Sequence, residues 1–325
     1  MKSVRSFCTI VMIMLLVIWG AGISMAQSPP PYPGERVKGK EALIKVAACQ
    51  IEPHIGDKDY NLKKMVEFID EAANQGATVI LLPELANTGY IFNSRAEAFA
   101  LAEPVPGGRT TDLLIKKAKE RNLYICSGIT ELDGKVLYNS SVLVGPKGYI
   151  GTYRKNHLWD EEKIFFEHGN LGFPVFDLPF GRVGMFICYD GWFPETTRIL
   201  RLQGVDLALN VTNWVYVAGL IDENKPISPD MHSAFAHANS MFIVSCDRVG
   251  LERGCTFLGL SNIAGPGGTI KRASWNKEEI ITAEINLTDA RYTSWTKFAD
   301  LLKDRRTDIY DVILGYKGAY NPRVK

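Results

Sequence analysis

Short apolar runs alternate with stretches of helical spacing along most of this chain. Leu43 to Gln50 is strand-like, and Asp59 to Asn74 then places Leu62, Met65, Val66, Ile69 and Ala73 on one helical face, with Gly76 as a stop. Thr78 to Leu82 reads as a strand, Thr111 to Arg121 as a helix and Leu123 to Thr130 as a third strand. This β-α-β-α-β order is that of helices packed on a sheet. Ser140 to Val144 and Tyr149 to Arg154 flank the turn signal Gly145-Pro146-Lys147-Gly148, which predicts a hairpin and therefore a mixed sheet. Arg182 to Ile187 is another apolar run, and Pro194 opens a helix continuing to Gln203. A strand at Asp206 to Asn210, a helix from Ser228-Pro229-Asp230 to Asn239 and a strand at Phe242 to Cys246 follow. Two more strands flank Gly265-Pro266-Gly267-Gly268. The alternation never breaks after Gly39, so a single α/β domain with mixed sheets is expected over residues 41–292. Residues 293–325 form a C-terminal extension, helix-like at Thr296 to Lys303 and then basic and Tyr-rich. Such a tail either packs on a neighbouring subunit or stays solvated.

The N-terminus departs from this pattern. Lys2 and Arg5 precede an apolar run from Phe7 to Ile18, and Ser24-Met25-Ala26 supplies small residues before Gln27. That order is a secretory signal peptide over residues 1–26, cleaved after Ala26; an uncleaved membrane anchor is the alternative. Residues 27–40, with Pro29-Pro30-Pro31-Tyr32-Pro33-Gly34, read as an extended linker. The expected location is therefore exported, periplasmic or secreted. Over 325 residues the composition is 46% hydrophobic and 22% charged with a net charge of +1, an ordinary globular balance with no basic block for nucleic acid.

Export permits disulfides, but six cysteines less Cys8 in the leader leave an odd number. Cys49, Cys126 and Cys246 lie inside apolar runs, and neither a C-x-x-C pair nor a Cys/His cluster of zinc spacing occurs. No disulfide framework, no metal and no cofactor are expected. The cysteine left over fits a free reactive thiol.

Cys188 is the thiol with chemical promise. It ends an apolar strand and precedes the helix opened by Pro194, where backbone N–H groups and a positive helix end favour thiolate and can cradle an oxyanion. The same geometry carries the serine of nucleophile elbows. Taken singly, the residues are ordinary: a buried cysteine, a loop Glu84, a surface Lys155 and a solvated pair Glu161-Glu162. Taken together, Glu84, Lys155 and Cys188 each end a strand-like run, and they supply a base, a cation for an oxyanion and a nucleophile.

With these residues the chain resembles the nitrilase superfamily of carbon–nitrogen hydrolases. The resemblance is carried by Leu81-Leu82-Pro83-Glu84-Leu85, Tyr153-Arg154-Lys155 with His157-Leu158, and Ile187-Cys188-Tyr189-Asp190. Glu162-Lys163 through Gly169, Ala238-Asn239 and Gly265-Pro266 support it, in order from about Ile44 to near Ala290. It implies a four-layer α-β-β-α sandwich that pairs into homodimers or larger homo-oligomers. It implies Cys188 as nucleophile, Glu84 as proton carrier, Lys155 with the Tyr189 N–H as oxyanion donors and Glu162 as a second, positioning glutamate. His157 and His168 are then polar-network residues rather than members of a Cys–His dyad. Nitrilases proper follow the cysteine with Trp-Glu, whereas Tyr189-Asp190 here favours a small amide or N-carbamoyl amine as substrate. Nitrile hydrolysis is the alternative, and a binding or assembly module with a vestigial triad is the non-enzymatic one. Asn213 and Trp214 lie where the family often lines its pocket, and Trp192 and Tyr216 add apolar surface nearby.

Overall fold

The computed structural model describes residues 42–313 except Leu220 and Glu223. The expected leader and linker, and the basic Tyr-rich end of the tail, lie outside the described residues. Strand β1 (Leu43–Gln50) sends Val46 and Ala48 to one buried face and Ala47 and Cys49 to the other. A strand covered on both faces reads as a continuous apolar run, which is why no polar alternation marks it. Helix α1 (Lys58–Asn74) starts where the Asp57 side chain accepts the Tyr60 N–H at 3.0 Å, and it turns Met65 and Ile69 onto that sheet. β2 (Val79–Leu81), α2 (Arg95–Leu101) and α3 (Arg109–Arg121) follow, and then β3 (Tyr124–Asp133), β4 (Val136–Gly145) and β5 (Gly148–Arg154) run as two successive antiparallel hairpins.

The second half opens with the short α4 (Glu162–Phe165), then β6 (Val175–Leu178) and β7 (Gly181–Ile187). A 3-10 turn over Cys188–Trp192 leads into α5 (Pro194–Leu202), with proline at its first position as expected. β8 (Leu207–Val211), α6 (Ile227–Asn239) and β9 (Phe242–Cys246) continue, with a hairpin of β10 (Val249–Glu252) and β11 (Cys255–Leu258) after them. β12 (Asn262–Gly265), β13 (Gly268–Arg272) and β14 (Glu279–Asn286) follow. β15 (Ser294–Thr296), β16 (Ala299–Asp300) and α7 (Thr307–Ile313) end the described chain.

Two six-stranded sheets result, ordered β14-β1-β2-β3-β4-β5 and β13-β12-β9-β8-β7-β6. Each mixes parallel and antiparallel pairs: β1 runs parallel to β2, with Val46 opposite Val79, and antiparallel to β14, with Leu43 opposite Asn286. Val46, Leu81 and Leu143 of the first sheet and Met185, Leu209 and Val244 of the second belong to one core between the sheets. Ile80 and Ile125 pack outward with Leu114 of α3, while Leu200 of α5 and Ala236 of α6 join the core on the far side. The architecture is the four-layer α-β-β-α sandwich.

The stretch Thr296 to Lys303 is corrected: it is a β15–β16 hairpin and turn, not a helix. The reason is local. Thr296 Oγ1 accepts the N–H groups of Phe298 and Ala299 at 3.2 and 3.1 Å, and Asp300 Oδ1 accepts those of Leu302 and Lys303 at 2.9 and 3.0 Å. Side chains of this kind take the backbone donors that a helix would need.

Candidate active site

Glu84 lies three residues past the end of β2, and its side chain is fully buried. Its backbone presses so closely on β3 that a Cβ added to Gly128 would come within 2.4 Å of the Glu84 Cα. Only glycine lets the two segments meet there. Lys155 follows the last residue of β5, and its ammonium donates to Glu84 Oε1 and to Glu162 Oε1, each at 2.7 Å. Asn139 Nδ2 donates to the same Glu84 oxygen at 2.6 Å, and Glu84 Oε2 is left buried without a protein partner.

Glu162 comes from α4, where the Trp159 N–H donates to its Oε2 at 3.1 Å and the Tyr90 hydroxyl to its Oε1. Glu161, one position earlier, is exposed, so the register expected from the sequence is the one observed. Sequence reading missed Tyr90 and Asn139. Both sit in runs that look like ordinary core or strand, and only the paired geometry singles them out.

Cys188 stands at the C-terminal end of β7 with φ of +44°. A side-chain-bearing residue in the left-handed region is strained, and such strain persists where neighbours hold it. Here the Cys188 N–H donates to Asn210 Oδ1 at 3.0 Å, and the Asp190 carboxylate accepts the Ile187 N–H at 3.0 Å. Asp190 also accepts from Tyr153 Oη at 2.6 Å and from the His157 N–H at 2.9 Å. It thereby ties the cysteine turn to the segment that presents Lys155. His157 serves this network, with Nδ1 2.7 Å from Asp190, and His168 Nδ1 lies 2.8 Å from the Asn156 carbonyl.

The electrostatics are those of a buried cluster. Burial pushes the Glu84 carboxyl up to about 7, against the pull of the Lys155 ammonium and with help from Glu162. Burial opposes charge on Lys155, but Glu162 and Glu84 more than offset it and hold the ammonium well above its ordinary range. Burial and then Glu84 push the Cys188 thiol well up, while Lys155 and the Thr212 hydroxyl pull it down. The sulfur is thereby favoured as a thiol, within electrostatic reach of a carboxyl whose burial raises its affinity for a proton. Such a set can move a proton from sulfur to carboxylate and hold negative charge beside an ammonium.

Cys188 lines a pocket of about 20 Å³ together with Trp159, Tyr189, Trp192, Asn213, Trp214 and Ser228, among others. Tyr189, Asn213 and Trp214, expected at the substrate pocket, line this one. Tyr216 is corrected: its ring is exposed, its N–H pairs with the Thr256 carbonyl, and it does not line this pocket. Ser228, expected from the sequence only as part of the helix start, lies inside the first turn of α6 and lines this pocket. A larger cavity of about 640 Å³, between α5, α6 and the β15–β16 segment, contains none of the Glu84, Lys155, Glu162 and Cys188 side chains.

The molecule is thus a sandwich of two mixed sheets with a strained cysteine at one strand end, within electrostatic reach of a buried Glu–Lys–Glu set. A sequence model of the carbon–nitrogen hydrolases matches residues 45–294, and the chain belongs to this family, the nitrilase superfamily. It is similar to a nitrilase of Pyrococcus abyssi, 44% identical across 82% of this chain and 99% of that protein. It is also similar to N-carbamoylputrescine amidase of Solanum lycopersicum, 31% identical across 87% and 98% of the two chains. A crystal structure of a carbon–nitrogen hydrolase from Helicobacter pylori superposes with a TM-score of 0.73, at 24% identity over 84% of this chain and 98% of that one.

Proposed function

We propose that this enzyme hydrolyses the C–N bond of a small amide or N-carbamoyl amine through an acyl intermediate on Cys188, releasing ammonia or an amine. One observation carries the reading: the strained thiol stands within electrostatic reach of a buried Glu84–Lys155–Glu162 set, and Glu84 keeps one oxygen unpartnered. In the proposed reaction the thiol proton passes to Glu84 as sulfur attacks the carbonyl carbon. The oxyanion is met by the Lys155 ammonium and by the Tyr189 N–H at the start of the 3-10 turn. Collapse expels the nitrogen with the proton from Glu84. Water, deprotonated by Glu84, then splits the thioester and the acid leaves. Glu162 holds Lys155 in place, and no cofactor enters any step.

Tyr189-Asp190 after the nucleophile supports the amide reading. The name of the 44% identical relative supports a second one, conversion of a nitrile to acid and ammonia. Cys188→Ala is expected to lose all measurable ammonia release across a panel of amides, carbamoyl amines and nitriles. Intact mass is expected to show an acyl adduct on wild-type protein only, and turnover by the alanine variant would remove Cys188 from the mechanism.

Residues 1–26 support export, so mature protein is expected to begin at Gln27. Edman sequencing that returns the original N-terminus from an exporting host would sink that part.

A further inference from the structure

We infer that His232 and Ser245 hold Cys188 in its reactive conformation through Asn210, which makes His232 a positioning residue for the nucleophile. This rests on the reading of Cys188 as the attacking group and adds what keeps that group aimed.

Cys188 adopts φ of +44°, a backbone state that a side-chain-bearing residue keeps only where its neighbours over-determine it. One of those neighbours is Asn210 of β8, whose Oδ1 accepts the Cys188 N–H at 3.0 Å. A side-chain amide can do this in one orientation only, because its nitrogen would meet the N–H donor to donor. The far side of the amide is held as well. Asn210 Nδ2 donates to Ser245 Oγ of β9 at 3.1 Å and lies 3.3 Å from Nδ1 of His232 on α6. Ser245 Oγ stands 2.9 Å from the same imidazole nitrogen. These contacts agree when Nδ1 is the acceptor and the ring proton sits on Nε2, with the Ser245 hydroxyl receiving from Asn210 and donating to His232. Burial pushes the imidazole down to about 3, so it is neutral at ordinary pH and keeps that acceptor.

His232 also bears on the cysteine turn directly. Its ring is fully buried, edge-on to Phe186 of β7 at 5.5 Å and tilted against Trp214 at 5.4 Å. Nε2 lies so close under the turn that a Cβ added to Gly191 would come within 2.1 Å of it. The imidazole therefore braces the chain on both sides of Cys188, and through Asn210 it reaches the cysteine itself. No step of the proposed reaction uses His232, and it is not among the residues lining the Cys188 pocket. With its own N–H committed to Asn210, Cys188 leaves the oxyanion to the Tyr189 N–H, the donor already proposed for it.

The test follows the thiol itself, as alkylation of Cys188 by iodoacetamide at neutral pH read by peptide mass mapping, with the half-buried Cys255 as internal control of reagent and fold. His232→Leu removes the acceptor at similar volume and is expected to slow Cys188 alkylation at least about tenfold, against the roughly hundredfold that a 1 Å misplacement of reacting groups can cost. His232→Asn puts an amide oxygen near the place of Nδ1 and is expected to stay within about threefold of wild type. Ser245→Ala, a milder change, is expected to slow the reaction severalfold and reads the same network should His232→Leu fail to fold. Added to Asn210→Leu, His232→Leu is expected to slow it no further, because its effect passes through Asn210. The direction separates positioning from stability, since a loosened protein exposes its thiols and reacts faster. Cys188 alkylated at or above the wild-type rate in Ser245→Ala or in folded His232→Leu, equal slowing by His232→Asn and His232→Leu, or full additivity with Asn210→Leu would each overturn the brace. Failure of the hydrolase reading shows separately, as a wild-type Cys188 that neither iodoacetamide nor any amide of the panel modifies.

Discussion

At the residue scale, the proposed reaction turns on the proton balance between Glu84 and Cys188. The Glu84 carboxyl is held near 7 chiefly by burial, and only its ionised form can take the thiol proton. Activity is therefore expected to rise with pH through about 7, because the working base is the form present above the raised value. Asn139 donates to this carboxylate and so favours ionisation. Asn139→Leu should move the acid limb of the kcat/KM profile to higher pH, and an unmoved limb would mean that another group sets it. Tyr90 works from the opposite side, where its hydroxyl donates to Glu162 and burial holds the phenol well above its usual range. It thus stays a donor throughout the working pH range.

At the scale of elements, three strand ends must meet with small tolerances. β2 and β5 belong to one sheet and β7 to the other, so the site exists only when the two sheets are packed. Gly128 is one of these tight fits, since a Cβ there would meet the Glu84 backbone. Gly128→Ala is expected to destabilise the protein by about 1–3 kcal/mol, the usual cost of forcing extra volume into a packed interior, and to lower kcat as Glu84 shifts. Thermal denaturation and steady-state kinetics on the same preparation check both parts. Unchanged stability would show that β3 can give way. The cysteine turn has its own supports in Asn210 and Asp190, which hold a left-handed residue that an isolated turn would not adopt.

At the scale of the whole molecule, the C-terminal segment stands out. Phe298 is 85% exposed, Tyr292 74% and Trp295 58%, close to the cavity bounded by α5 and α6. Adjacent exposed aromatics of this size mark contact surfaces more often than free ones. We propose that a second copy of the chain covers this face, in keeping with the homo-oligomer the family resemblance implies. Sedimentation equilibrium is expected to give at least twice the chain mass, and Phe298→Glu with Trp295→Glu to lower it. A monomeric wild type would refute the pairing.

Much was already legible along the chain. The strand at Phe242–Cys246 and the β1 run were found at their observed bounds, because buried strands are continuous apolar runs that end at polar turns. Glu84, Lys155 and Cys188 stand out by residue type and by their place after strand-like runs, and Glu162 through the family resemblance alone. What escaped was whatever depends on contact between distant segments. The hairpin at Ser294–Asp300 read as a helix because its Thr296 and Asp300 side chains hide their competition for backbone donors from any periodicity. Tyr216 looked like a pocket wall and lies outside the pocket, while Tyr90 and Asn139 carried no local mark at all. The sequence by itself determined the order of most elements, since apolar period and residue type are local properties, while the four layers and the role of Cys188 are what the family resemblance implies. Only the tertiary structure decided how the Cys188 thiol is strained and buried and which carboxylate oxygen stays free. Those are matters of burial and distance between residues more than 100 positions apart, as with Asn213 and Glu84, and no local pattern encodes them.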